Sequence, residues 1–267
     1  MRTNKLILAM AACLGCAAVG SVALAADAPV ELKAMTDIAG KIAAFPRLVV
    51  ANNGKAVQRV NRALDKRDAA ARQMQMDCRS NVDKPSDADY ERRIWVTMRG
   101  PRYLSFLAAD YADCGGAHPN AGQMALVYDL VTGAPVNWQR LLPRAMVQGT
   151  STDNVVDGTL VGFVTSKTLQ DLWLKAEATN NPDPDCKDVV TDPALRLTLY
   201  PDAKAGGLAI QPGDLPHVVQ ACADVNVIPT ATLRPLGVDA GLLDAIDAAH
   251  AGGFFDKGLP ENKPREQ

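Results

Sequence analysis

The chain has 267 residues, with 28 Lys and Arg against 30 Asp and Glu, a net charge of −2 and 5% aromatic residues. This mildly acidic balance argues against nucleic acid or an anionic membrane surface as the main partner.

The chain opens on a targeting segment. Arg2 and Lys5 precede an apolar and small-residue run from Leu6 to Leu24, and Ala23-Leu24-Ala25 fits the small-x-small rule for cleavage after Ala25. Residues 1–25 therefore read as a signal peptide of a periplasmic or secreted protein. A lipoprotein alternative through Cys16, preceded by Leu14 and Gly15, is weakened by Cys13, which stands where such signals carry a branched apolar residue. Cleavage leaves 242 residues with a net charge of −4 and no transmembrane segment, enough chain for one large domain or two small ones. Four cysteines remain, Cys78, Cys114, Cys186 and Cys222. An even number in an exported chain reads as disulfides. Three pairings are open; Cys78–Cys114 with Cys186–Cys222 is the expected one, since each pair brackets one half of the chain.

In chain order, residues 31–44 predict a short helix, and Lys55 to Met76 a longer one. There Val57, Val60, Asn61 and Leu64 recur at helical spacing, with Arg59, Arg62, Lys66 and Arg67 assigned to a solvated basic side. Residues 81–89 predict a loop. Arg92 to Arg99, with Ile94, Val96 and Met98 on one face, and Tyr103 to Asp110, with Leu104, Phe106 and Ala108 on one face, predict two strands. Tyr111 to Pro143 reads as a Gly-rich turn, a third strand at Gln123 to Leu130, a Thr-Gly turn and a short amphipathic exit. Short connections favour an antiparallel meander. Thr150 to Lys175 predicts a helix capped by Thr152 or Asp153, residues 180–187 a loop, and Ala194 to Tyr200, Gly207 to Ile210 and Val225 to Ile228 three strands. A last helix starts at the cap Asp239 and ends near His250. The expected fold is α+β, antiparallel sheets packed by helices in two small lobes: residues 26–150 and 151–250, with a disordered tail at 251–267.

The motifs GGAHPN at 115–120, YDLVTG at 128–133 and WQRLLP at 138–143 resemble the RsiV-like extracytoplasmic domain family (domains of unknown function 3298 and 4163), also found in the deacetylase PdaC. FPRL at 45–48, AVQRVNRAL at 56–64, PALRLTLYPDA at 193–203 and VNVIP at 225–229 extend the resemblance from Phe45 to Leu236. The resemblance implies a module outside the cytoplasmic membrane. RsiV itself binds lysozyme as a receptor, so a lysozyme-like protein is one implied partner and a peptidoglycan fragment another. Without an internal transmembrane helix, a signal-transducing role is not expected.

His118 is the residue with the most chemistry on offer: a metal ligand, a general base or a ligand contact, or a ring that pins the turn. Metal sites usually take three or four protein ligands. Only His217 and His250 accompany His118, so no metal and no cofactor is expected. Asp110, Asp113 and Asp129 flank the turn as a candidate carboxylate cluster. Asp183 and Asp185, with Asn180 and Asn181, lack the spacing of a calcium loop. Trp95, Trp138, Tyr103 and Tyr128 are candidates for a sugar-binding face, with core packing the simpler role. The candidate ligand-binding set is Tyr111, Asp113, His118 and Asn120. The leading reading is a non-enzymatic binding module of the cell envelope. The alternative is an envelope hydrolase using His118 with a neighbouring carboxylate.

Overall fold

The computed structural model describes residues 28–49, 54–154, 160–180, 186, 190–213 and 215–258. The expected signal peptide and the Asp183–Asp185 loop lie outside these residues. A short β1 (Leu32–Lys33) pairs antiparallel with β2 (Arg47–Leu48), and α1 (Lys55–Ser80) comes next. Strands β3 (Asp89–Arg99), β4 (Tyr103–Asp113), β5 (Asn120–Asp129) and β6 (Ala134–Pro135) form an antiparallel sheet in that order. After α2 (Trp138–Leu141), strands β7 (Gly149–Asn154) and β8 (Leu160–Thr165) lead to α3 (Lys167–Asn180). The chain continues through β9 (Arg196–Asp202), β10 (Gly207–Gly213) and β11 (Asn226–Pro229), then α4 (Thr230–Leu233) and α5 (Ala240–Gly252). The second sheet has the order β11-β10-β9-β8-β7 and is also antiparallel. The fold is α+β.

The first sheet is buried on both faces. Leu104, Phe106, Ala108, Leu126 and Tyr128 pack with Val60 and Leu64 of α1 and with Phe45. On the opposite face, Tyr103, Leu107, Ala125 and Val127 join a core shared with Leu197, Leu199 and Leu208 of the second sheet, Leu169 and Trp173 of α3, and Leu242 and Ile246 of α5. β3 serves both cores through a bulge. The β3–β4 register shifts between Val96 and Met98, and an extra residue reverses the facing of the remainder of the strand. Val96 therefore lies in the α1 core and Met98 in the shared core, although simple alternation places them on one face.

Three further expectations are corrected. Residues 31–44 are not helical: β1 pairs with β2, and Ala43 N donates to Arg92 O at 3.0 Å, so the segment meets its backbone bonds by lying along β3. Residues 150–154 and 160–165 lie in the paired strands β7 and β8 rather than at the start of a helix. β-Branched Thr150, Val164 and Thr165 suit a pleated ladder, and the helix starts after Ser166, whose Oγ accepts from Leu169 N at 3.2 Å as its cap. Arg67 is buried, not on the solvated side of α1. It falls on the stripe of Val60, Leu64 and Ala71, and its carbonyl accepts from Arg92 Nη1 at 3.2 Å.

Two disulfides, Cys78–Cys114 and Cys186–Cys222, close loops of equal separation, 36 residues each, with Cα–Cα distances of 4.7 and 5.3 Å. Each is worth about 2–4 kcal/mol through the unfolded chain, and both fit folding in an oxidising, extracytoplasmic compartment. No helix among the described residues is long and apolar enough to cross a membrane. Beyond α5, Phe254 and Phe255 pack on the shared core. Arg99 N donates to Phe254 O at 2.9 Å and Asp256 N to Val96 O at 3.0 Å, so residues up to 256 are tied to the edge of β3.

Candidate functional site

The alternating facing of β3, β4 and β5 builds a hollow against the second sheet. Glu91, Arg93 and Trp95 share one face of β3. Their register partners on β4 are Tyr111, Ala109 and Leu107, and β5 opposes Tyr111 and Ala109 with Ala121 and Gln123. Leu107 and its neighbour Ala125 are covered by the second sheet. Beyond them, the methyl side chains of Ala109 and Ala121 are too small to fill the space, and a cleft of about 670 Å³ remains.

The opposite wall comes from β10 and the 3-10 helix His217–Cys222. Gln211, only 8% exposed, donates from Nε2 to Gln123 Oε1 at 2.9 Å and to Ala223 O at 2.9 Å. Gln220 donates its amide to the carbonyl of Ala121. These bonds join the wall to β5, and the Cys186–Cys222 disulfide anchors the end of the 3-10 helix. The cleft's lining residues thus include an indole and a phenol, three carboxamides, the charged pair Glu91 and Arg93, and Asp110.

The sequence-derived candidates separate here. Tyr111, 38% exposed, lines the cleft. Asp113 pairs with Asp89 at the end of the β3–β4 ladder, and Asn120 opposes Ala112, so neither is among the lining residues. His118 is exposed on the turn between β4 and β5 and does not line the cleft either. That turn is held by the Cys78–Cys114 bridge and by Gly115, whose φ is +82° and whose Cβ would stand 3.2 Å from Asn81 O. Asp129 lies at the far end of β5, opposite Tyr103. No cluster of three or more His, Cys, Asp or Glu suited to a metal occurs among the described residues. Of the four aromatics considered for a sugar face, Trp95 lines the cleft while Tyr103, Tyr128 and Trp138 are buried. Sequence reasoning missed Arg93, Gln123, Gln211 and Gln220. Arg93, Gln123 and Gln211 stand as polar residues on strands, their only signal, whereas Gln220 lies in the 3-10 helix His217–Cys222 and carried none.

A second polar cluster lies under α1. Arg92 Nη2 meets Asp68 Oδ1 at 2.5 Å, and Arg47 Nη2 meets Asp68 Oδ2 at 2.7 Å. Asp110, facing the same side as Arg92, has its carboxyl pushed above the ordinary value by burial, against the opposing pull of Arg92 and of a hydrogen bond with Tyr90. Its Oδ1 has no hydrogen-bond partner among the described residues. This cluster ties α1 and the segment before β2 to the sheet, and of its members Asp110 is also among the residues lining the cleft.

No family model matches the chain, and no curated protein matches it. Among solved structures it is similar to the crystal structure, at 2.30 Å resolution, of a member of the DUF3298 family from Bacteroides fragilis NCTC 9343, with 13% sequence identity, 74% of this chain and 75% of that chain covered, and a TM-score of 0.40.

Proposed function

We propose that this protein is an exported, non-enzymatic binding module of the cell envelope, built from lobes 26–150 and 151–250, whose cleft takes a saccharide such as a peptidoglycan fragment. One observation carries the reading: a cleft of about 670 Å³ in which Trp95 and Tyr111 stand beside three glutamines. Its volume lies within the roughly 300–1,000 Å³ of small-molecule sites. Aromatic faces cover the C–H faces of a sugar ring, and carboxamides both donate to and accept from its hydroxyl and acetamido groups. A lysozyme-like protein partner needs an exposed interface-sized patch, and the exposed large apolar side chains, such as Met35, Met76, Val131 and Val218, are scattered along the chain. The hydrolase alternative needs His118 inside a concave site, whereas His118 stands outside the cleft.

The test is a titration of the mature chain with soluble peptidoglycan fragments, read by tryptophan fluorescence. Trp138 and Trp173 are buried, so a ligand in the cleft reports through Trp95. Binding that Trp95→Phe silences optically, and that Tyr111→Ala weakens about tenfold in calorimetry, supports the reading. No binding of fragments, together with binding of c-type lysozyme that Trp95→Ala and Tyr111→Ala leave unchanged, overturns it.

A further inference from the structure

We infer that the cleft selects a saccharide bearing a carboxylate, and that Arg93 is the residue that reads it. The inference rests on the saccharide reading above and names the class of ligand within it. Arg93 lies between Glu91 and Trp95 on the cleft face of β3 and opposes Ala109. Its side chain is 72% exposed, and the ion pair described for it is a long one, Nη2 to Glu91 Oε2 at 3.7 Å. Glu91 is already held through its other oxygen by Lys41, which also reaches Asp89 at 3.2 Å. One carboxylate is thus shared between two cations, and its closer partner is Lys41.

Besides Glu91, the cleft's lining residues include one other acidic residue, Asp110. Gln123, Gln211 and Gln220 are neutral, and the alternation of β4 turns the Asp110 carboxyl to the opposite face, toward Arg92. A ligand entering the cleft therefore meets the Arg93 guanidinium, beside a Glu91 carboxylate already engaged by Lys41, against a wall of neutral carboxamides. Carboxamides recognise hydroxyl and acetamido groups without regard to ligand charge. The guanidinium fork matches a carboxylate with two parallel N–H···O bonds, a geometry that a hydroxyl cannot reproduce. Placed next to Trp95, it fixes where the acidic substituent lies when the sugar ring covers the indole.

The experiment uses the mature chain and two matched probes, the disaccharide N-acetylglucosaminyl-N-acetylmuramic acid and its methyl ester, compared by calorimetry at low and physiological salt. The acid is expected to bind about tenfold tighter than the ester, since a charge-assisted bond carries roughly that discrimination, with the gap narrowing as salt rises. Arg93→Gln is expected to remove the preference, lowering affinity for the acid about tenfold more than for the ester. Because Arg93 is exposed, an unchanged thermal midpoint confirms that the variant is folded. Equal affinity for acid and ester in the wild-type protein overturns the inference and leaves the saccharide reading standing. A preference that survives Arg93→Gln overturns the assignment to this residue. If neither probe binds, the inference and the saccharide reading fall together.

Discussion

The side-chain amide of Gln211 donates to the side-chain oxygen of Gln123 at 2.9 Å, joining β10 of one sheet to β5 of the other beside the cleft. Gln211 is nearly buried, and its second proton goes to Ala223 O. The pair therefore positions the wall as well as lining it. Gln211→Leu leaves Ala223 O and Gln123 Oε1 without this donor. We expect a loss of about 1–3 kcal/mol in denaturant unfolding together with weaker ligand binding, whereas Gln123→Ala, on the exposed side, is expected to cost less than about 1 kcal/mol.

The cleft exists because Ala109 and Ala121 are small. Ala121→Trp places an indole in that space at an exposed strand position, so stability is expected to change by under about 1 kcal/mol. Binding of any cleft ligand is expected to be lost. Calorimetry on the folded variant checks this, and unchanged affinity would move the site elsewhere.

Asp110 predicts a pH dependence. Its folded pKa lies above the unfolded value of 3.8, with burial as the main cause. The native state therefore binds the proton more tightly, and stability falls as pH rises from the unfolded value through the raised one. Asp110→Asn removes the ionisation. Its thermal midpoint is expected to match that of wild type at pH 3, where both side chains are neutral, and to exceed it at pH 7. A midpoint below that of wild type at pH 7 would show that attraction to Arg92 outweighs the desolvation.

Gly133 closes the turn after β5 at a φ of +67°, and a Cβ there would lie 2.2 Å from Ala56 O in α1. Gly133→Ala combines left-handed strain with a clash against backbone, and we expect a loss of about 2–4 kcal/mol by chemical denaturation. Asp129 sets the same turn by accepting from Val131 N at 2.7 Å and from Arg102 Nη2 at 2.7 Å. Burial alone would raise its pKa; these partners outweigh it and hold the pKa below the ordinary value. Its contribution is present above the unfolded value and is lost as pH falls through the folded one.

The 3-10 helix His217–Cys222 depends on its bridge. Replacing Cys186 and Cys222 with serine is expected to cost about 2–4 kcal/mol and to weaken ligand binding by loosening Gln220. The Cys78→Ser, Cys114→Ser pair is expected to cost a similar amount while leaving binding unchanged, because the His118 turn does not line the cleft.

Local chemistry made much of the fold readable from the sequence. Periodicity placed α1, and the cap Asp239 placed α5, accepting from Leu242 N at 2.8 Å. Alternation placed β3, β4 and β5, and an even number of cysteines, each pair bracketing one half of the chain, pointed to the observed bridges. Asn61, conspicuous within an apolar stripe, pairs with both backbone groups of Leu48 at 3.0 Å, a polar residue serving as a surrogate strand edge. Only the tertiary structure decided the rest. The bulge that sends Val96 and Met98 to different cores, and the burial of Arg67, depend on partners distant in sequence. So does the cleft, where Arg93 and Tyr111 meet Gln211 and Gln220 from about a hundred residues later. Propensity and spacing act over a few residues, whereas a cavity is set by which small side chains two separate sheets leave uncovered.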